Sequence, residues 1–170
     1  MLKAAGSLML LCGCVGIGFL KVRNMDKRIE TIRSLLYALE TMERELSFRI
    51  PLLEEMLSAA ANSSDEPIRS FLSTCQKELR NNTDQPFAEI WIQAAQEWLT
   101  LLKKSDLGPV FVLGGVLGRY DCEGQRRAIL HAHSALEQLC SRAVAERSGR
   151  GKVYKVLGTA AGVFLIILLL

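Results

Sequence analysis

Two histidines, five cysteines and eighteen carboxylates are the residues of this 170-residue chain that could do chemistry. His131 and His133 are two positions apart. On a helix that spacing points them at different faces, so they cannot hold one metal ion as an i, i+4 pair would. His133 and Cys140 do share a face, but two ligands two turns apart make no metal site. Cys12 and Cys14 lie in an apolar stretch, and Cys75, Cys122 and Cys140 are scattered, with no C-x-x-C. That spacing gives neither a zinc nor a disulfide framework and reads as reduced thiols serving as small hydrophobes. No serine or cysteine sits in a nucleophile elbow, and no G-x-x-x-x-G-K-[ST] loop offers a phosphate cradle. The sequence therefore predicts no enzyme, no metal and no cofactor.

Two other sets of residues read as contact surfaces. Glu40, Glu43, Glu45, Glu54 and Glu55 cluster in sequence about the first helix-to-helix turn. The plain reading is a solvated face. The sharper one is a docking tip that steers a basic partner and sets its register. Gly158-x-x-x-Gly162 leaves a flat strip on a helix where another can approach closely, and Cys14-x-x-x-Gly18 offers a comparable small surface.

Those small residues lie in the two apolar ends of the chain. Residues 4–20 carry no charge and would span about 26 Å as a helix. Residues 156–170 are fifteen positions without a charge, a rise of about 22 Å. Adding Val153 and Tyr154, with Lys155 snorkelling to the interface, makes 153–170 a plausible span of a ~30 Å hydrocarbon core. Three readings of 4–20 stand: a cleaved signal peptide, a lipoprotein signal ending near Cys12, and a retained span. The retained span is favoured, because no A-x-A site follows and the run stays apolar up to a basic flank. Lys21, Arg23, Lys27, Arg28 and Arg33 follow the first stretch, and Arg142, Arg147, Arg150 and Lys152 precede the second. Both basic flanks belong to 21–152, which the positive-inside rule places in the cytoplasm with both termini outside. Mean hydropathy is +0.19, the excess residing at the ends. A net charge of +3, without an aromatic-interleaved basic face, argues against nucleic acid.

Between the ends, apolar residues recur at helical steps. Ile29, Ile32, Leu35, Leu36, Leu39, Met42 and Leu46 mark a long helix over 24–48. Pro51 is expected to open a short helix carrying Leu52, Leu53, Met56 and Leu57. Ser64 is expected to cap a third, with Ile68, Phe71, Leu72, Cys75 and Leu79 on its inner face. Residues 85–103 form a fourth, striped by Phe87, Ile90, Trp91, Ala94, Trp98, Leu101 and Leu102. Ser105 or Asp106 is expected to cap a fifth, interrupted by Gly114, Gly115 and Gly118, where close approach of a neighbouring helix would explain the glycines. The last helix starts at Asp121. The predicted fold is all-α: an antiparallel six-helix cytoplasmic bundle, 21–152, flanked by transmembrane helices 4–20 and 153–170.

The chain resembles the stage III sporulation protein AB family of endospore-forming bacteria along nearly its whole length. The resemblance rests on Leu39-Glu40-Thr41, Ile50-Pro51-Leu52, Leu117-Gly118-Arg119-Tyr120-Asp121 followed by Gln125, Leu136-Glu137, Ala143 to Glu146, Lys152 and Leu157-Gly158. The family is similar in its cytoplasmic part to F-type platform proteins of type II secretion and type IV pilus systems. Those carry two bundles and more spans, so this chain would be half a platform, completed by another copy or by partners. The resemblance implies a non-enzymatic component of the channel complex in the mother-cell membrane around the forespore, required for endospore formation. Implied partners are membrane lipid, a co-encoded secretion-type ATPase, and other stage III sporulation membrane and ring proteins, with a homo-oligomer allowed. The runner-up is a two-span membrane adaptor or signalling protein with a helical cytoplasmic domain; an operon holding the ATPase would separate the two.

Overall fold

The computed structural model describes the backbone of 2–81 and 85–169, and the side chains of 19–81, 85–149, Val153, Val156 and Ala160. Six helices and no strand occur among the described residues: α1 Leu2–Phe48, α2 Leu53–Asn62, α3 Ile68–Arg80, α4 Phe87–Trp98, α5 Gly108–Gly114 and α6 Cys122–Leu169. The chain divides into two compact units. One joins Met1–Ile29 to Ser141–Leu170, and the other is Glu30–Cys140. Among the described residues no helix is long and apolar enough to cross a membrane. Most side chains of 4–20 and 153–170, that of Cys14 included, lie outside the described residues, as do the surroundings of Gly18, Gly158 and Gly162.

The unit Glu30–Cys140 is built around one seam. Ile32, Leu35, Leu39, Met42 and Leu46 step along α1 by three and four, and all are buried. Such spacing keeps one face of the helix turned to its neighbours. Ile129 and Leu136, seven apart on α6, are likewise buried. Met56, Leu57 and Ala60 from α2 and Ile68, Phe71, Leu72 and Cys75 from α3 complete the apolar interior. Trp91 of α4 is the largest fully buried side chain. Phe71 meets it edge-on at 4.6 Å between ring centroids, a favoured aromatic geometry. The indole N–H donates to the Val110 carbonyl at 2.8 Å, so its one polar group is not stranded in the core.

Gly114 explains itself through that tryptophan. A Cβ there would overlap the indole, with Trp91 Cγ 2.7 Å away. α5 can rest on Trp91 because Gly114 has no side chain, which is the close approach its sequence predicts.

Several boundaries differ from those expected. Pro51 does not open α2; the helix starts at Leu53, after Leu52 takes an extended conformation at the N-cap (φ −63°, ψ 146°). Leu52 is accordingly 71% exposed rather than part of the buried face. Ser64 does not cap α3. It is buried, and its hydroxyl turns back to donate to the Ala60 carbonyl at 2.7 Å, satisfying the end of α2 instead. α4 stops at Trp98 rather than running to residue 103. The chain turns so that Leu99 and Leu102 are both buried, while Leu101 is left 40% exposed. Core burial there outweighs continued helical periodicity. Asp106 caps no helix: buried, it accepts from the Lys103 N–H at 3.1 Å and closes the turn before α5. Neither Ser105 nor Asp106 sits at the N-cap of α5, which is Leu107.

The other unit pairs the start of α1 with the end of α6. Val22 and Ile29 are buried on α1 and Ala143 on α6. Arg147 makes a forked contact with Asp26, at 2.7 and 3.3 Å, and Arg28 reaches Glu146 at 3.2 Å. Two residues forward on α1 match one back on α6, so the pair is antiparallel with a defined register.

Candidate interaction surface

None of the described histidine, cysteine and carboxylate side chains forms a group that could hold a metal ion. His131 is exposed, whereas His133 lies between Glu40 at 3.2 Å and Glu137 at 3.8 Å. Cys75 is fully buried on α3, and burial pushes its thiol up to about 12 from 9.0. A thiol held protonated at neutral pH is a poor nucleophile, in keeping with its reading as a small hydrophobe.

The structure places the five acidic candidates as follows. Glu40 meets His133 of α6, and Glu43 meets Arg126 of α6 at 3.4 Å. Hydrogen bonds from Arg126 to Glu123, and then to Glu43, raise the guanidinium's pKa. Glu45 and Glu55 share one cation: Arg49 lies 3.3 Å from the first and 3.1 Å from the second. Glu54 accepts from Arg80 Nε at 2.9 Å. Glu54 and Glu55 also line an open groove of about 340 Å³ between α2 and α3, with Ser58, Asn62, Gln76 and Arg80. Every candidate thus faces a basic side chain of this chain. Exposed pairs of this kind are worth little individually, ~0–1 kcal/mol, but they fix which residues stand opposite each other.

The turn from α5 into α6 is the most closely determined surface feature. Gly118 has φ +74°, a conformation L side chains rarely adopt, and a Cβ there would also stand 2.9 Å from Leu53 Cδ2. The Gly118 N–H donates to Gln125 Oε1 at 3.1 Å, and Gln125 Nε2 donates to the Tyr120 carbonyl at 2.8 Å. Asp121 Oδ1 accepts from the Gly124 N–H at 3.1 Å, an N-cap bond at the start the sequence predicts. One amide side chain and one carboxylate therefore reinforce the turn beside its backbone bonds, such as Arg119 N–H to the Val116 carbonyl at 3.2 Å.

That turn lies beside the α1–α2 loop. Besides the Gly118–Leu53 approach, Cys122 Sγ is 3.6 Å from the Leu46 carbonyl. Here the chain exposes large apolar side chains: Phe48 at 83%, Ile50 at 85%, Leu52 at 71% and Tyr120 at 61%. Sequence reasoning missed this cluster because it assigned Leu52 to a helix. The available signal was the alternation Phe48, Ile50, Leu52 on either side of Arg49 and Pro51.

The family profile described as Stage III sporulation protein AB matches residues 3–170. The chain belongs to that family. Stage III sporulation protein AB of Bacillus subtilis (strain 168) is 28% identical over 172 residues, covering all of both chains. A solved structure of a stage III sporulation protein AB superposes with a TM-score of 0.64 at 24% identity, over 72% of this chain and 98% of that one. At that identity the superposition speaks for the fold alone. Within the family frame, the Leu117–Asp121 run and Gln125 are the residues whose structural duty is now visible: they build the α5–α6 turn.

Proposed function

We propose that this sporulation protein is a non-enzymatic platform of the complex joining mother cell and forespore, carried on two membrane helices with the bundle in the cytoplasm. The family match along residues 3–170 carries this reading. The register of Asp26 with Arg147 and Arg28 with Glu146 supports the membrane part. Continued along both helices, it would set position 20 level with about 153 and position 4 with about 169, so the two apolar stretches would begin and end together. Two coextensive apolar helices rising from one basic collar suit a hairpin anchored in a single bilayer.

Without catalytic groups, a platform acts by binding. The co-encoded secretion-type ATPase is the partner we assign to its cytoplasmic face, with the other stage III membrane and ring proteins around it. The carboxylates Glu40, Glu43, Glu45, Glu54 and Glu55 remain candidates for that contact, by exchanging their internal partners for cations of the ATPase. The test is co-purification of the full chain from sporulating-cell membranes with the ATPase, alongside spore counts in a strain lacking the protein. Retained ATPase and a block after engulfment are expected. Normal sporulation in the deletion strain would refute the role.

A further inference from the structure

We infer that the cluster of Phe48, Ile50, Leu52 and Tyr120 is a self-association surface, and that its partner is the same cluster on a second copy of this chain. Four large side chains, each more than half exposed, present on the order of 500 Å² of apolar surface. That is about the size of the largest apolar patch on a typical monomer, and such patches are often functional.

The patch is also held in shape. Arg49 bridges Glu45 in the last turns of α1 to Glu55 in the first turn of α2. Leu53 packs against the Gly118 turn, which Gln125 and Asp121 fix. A preformed surface loses little conformational entropy on association.

The rim identifies the occupant. A lipid-docking patch sets Lys and Arg beside its apolar residues, but here Arg49 is matched by Glu45 and Glu55. A surface for a strongly basic protein would be acidic all round, but Arg119 is exposed next to Tyr120. The rim holds both signs: Arg49 and Arg119 against Glu45, Glu55 and Asp121. A two-fold contact brings a surface onto itself, so a rim of one sign would repel its own copy, and a mixed rim does not. The area is below the ~800 Å² per partner of a stable complex. The dimer is therefore weak, with a Kd of roughly 10 μM or above, and becomes substantial only where copies are concentrated together.

The experiment is sedimentation equilibrium of the full chain in density-matched detergent, across roughly 1 to 300 μM protein. The wild type should pass from one chain to two as concentration rises. Ile50→Asp with Leu52→Asp should raise Kd at least tenfold, and Tyr120→Ser severalfold. Leu101→Asp, which alters an exposed apolar residue after α4 that is not one of the four, should leave Kd unchanged. Circular dichroism checks that each variant keeps its helices, and exposed positions should tolerate the changes. A wild type that stays one chain at 300 μM overturns the inference. So does a double variant that still dimerises like the wild type, since the contact would then lie elsewhere, the apolar helices included. The result is independent of the platform reading, which sporulation phenotypes decide.

Discussion

At the residue scale, Trp91 and Gly114 act as one unit. The indole is fully buried, hydrogen-bonded to Val110 and flanked by Phe71 and Phe87. It has no room to yield, so a methyl group at Gly114 must displace α5. Gly114→Ala should cost roughly 1–3 kcal/mol by overpacking, and Trp91→Ala roughly 3–5 kcal/mol by loss of burial. Trp98 is only partly buried and anchored by one hydrogen bond to Thr74 at 3.0 Å. Trp98→Ala should therefore be clearly milder than Trp91→Ala. Urea unfolding followed by circular dichroism ranks all three; equal losses for the two tryptophans would contradict the burial difference. The aromatic stripe was legible as core from its spacing. Which tryptophan is the keystone was not, because helical period does not say where a helix stops.

At the element scale, the α5–α6 turn depends on two side chains that the sequence presents as an ordinary polar segment. Asp121→Ala removes the N-cap bond and should cost about 1 kcal/mol. Gln125→Ala frees both the Gly118 N–H and the Tyr120 carbonyl, but these are exposed and water can replace the amide. Its effect should be smaller on stability and larger on local opening. Hydrogen exchange should show faster exchange at Gly118 in the Gln125 variant, with the Ile129 amide unchanged. Matching acceleration at both sites would mean that the turn and the helix open as one. The position of this turn was readable from Gly118 and Asp121, whereas the clamp required knowing that residue 125 folds back over residue 118.

At the scale of the whole molecule, the testable quantity is topology. Basic residues lie on the inner side of both apolar ends, so the region between them should face the cytoplasm. An export-dependent phosphatase fused at the C-terminus should be active. The same reporter inserted after Lys104, in the exposed connection between α4 and α5, should be silent. Activity at Lys104 would reverse the orientation and remove the bundle from any cytosolic motor. The acidic candidates belong to this scale as well. Glu43 and Glu45 each face an arginine of the chain, so lysine substitution would set like charges together and disturb the fold itself. Glutamine substitution removes the charge without that repulsion and is the cleaner probe of partner binding.

The sequence by itself determined the all-α class, six helices, the long first and last helices, the start of α6 at Asp121 and the family. Each follows from local chemistry: apolar residues at three- and four-residue steps, glycine where a turn needs φ above zero, aspartate where a helix begins, and residue runs shared with relatives. The tertiary structure decided what depends on partners distant in the chain. It sends the Ser64 hydroxyl back to Ala60, because the end of α2 has a carbonyl to satisfy and α3 begins elsewhere. It ends α4 at Trp98, because burying Leu99 and Leu102 outweighs one more helical turn. It sets Glu43, Glu45, Glu54 and Glu55 against arginines up to 83 positions away and Glu40 against His133, where the sequence shows only an acidic run. And it leaves Ile50 and Leu52 in solvent, since the chain between α1 and α2 is not helical and Leu52 is extended, so the side chain expected on the inner face of a helix is turned out.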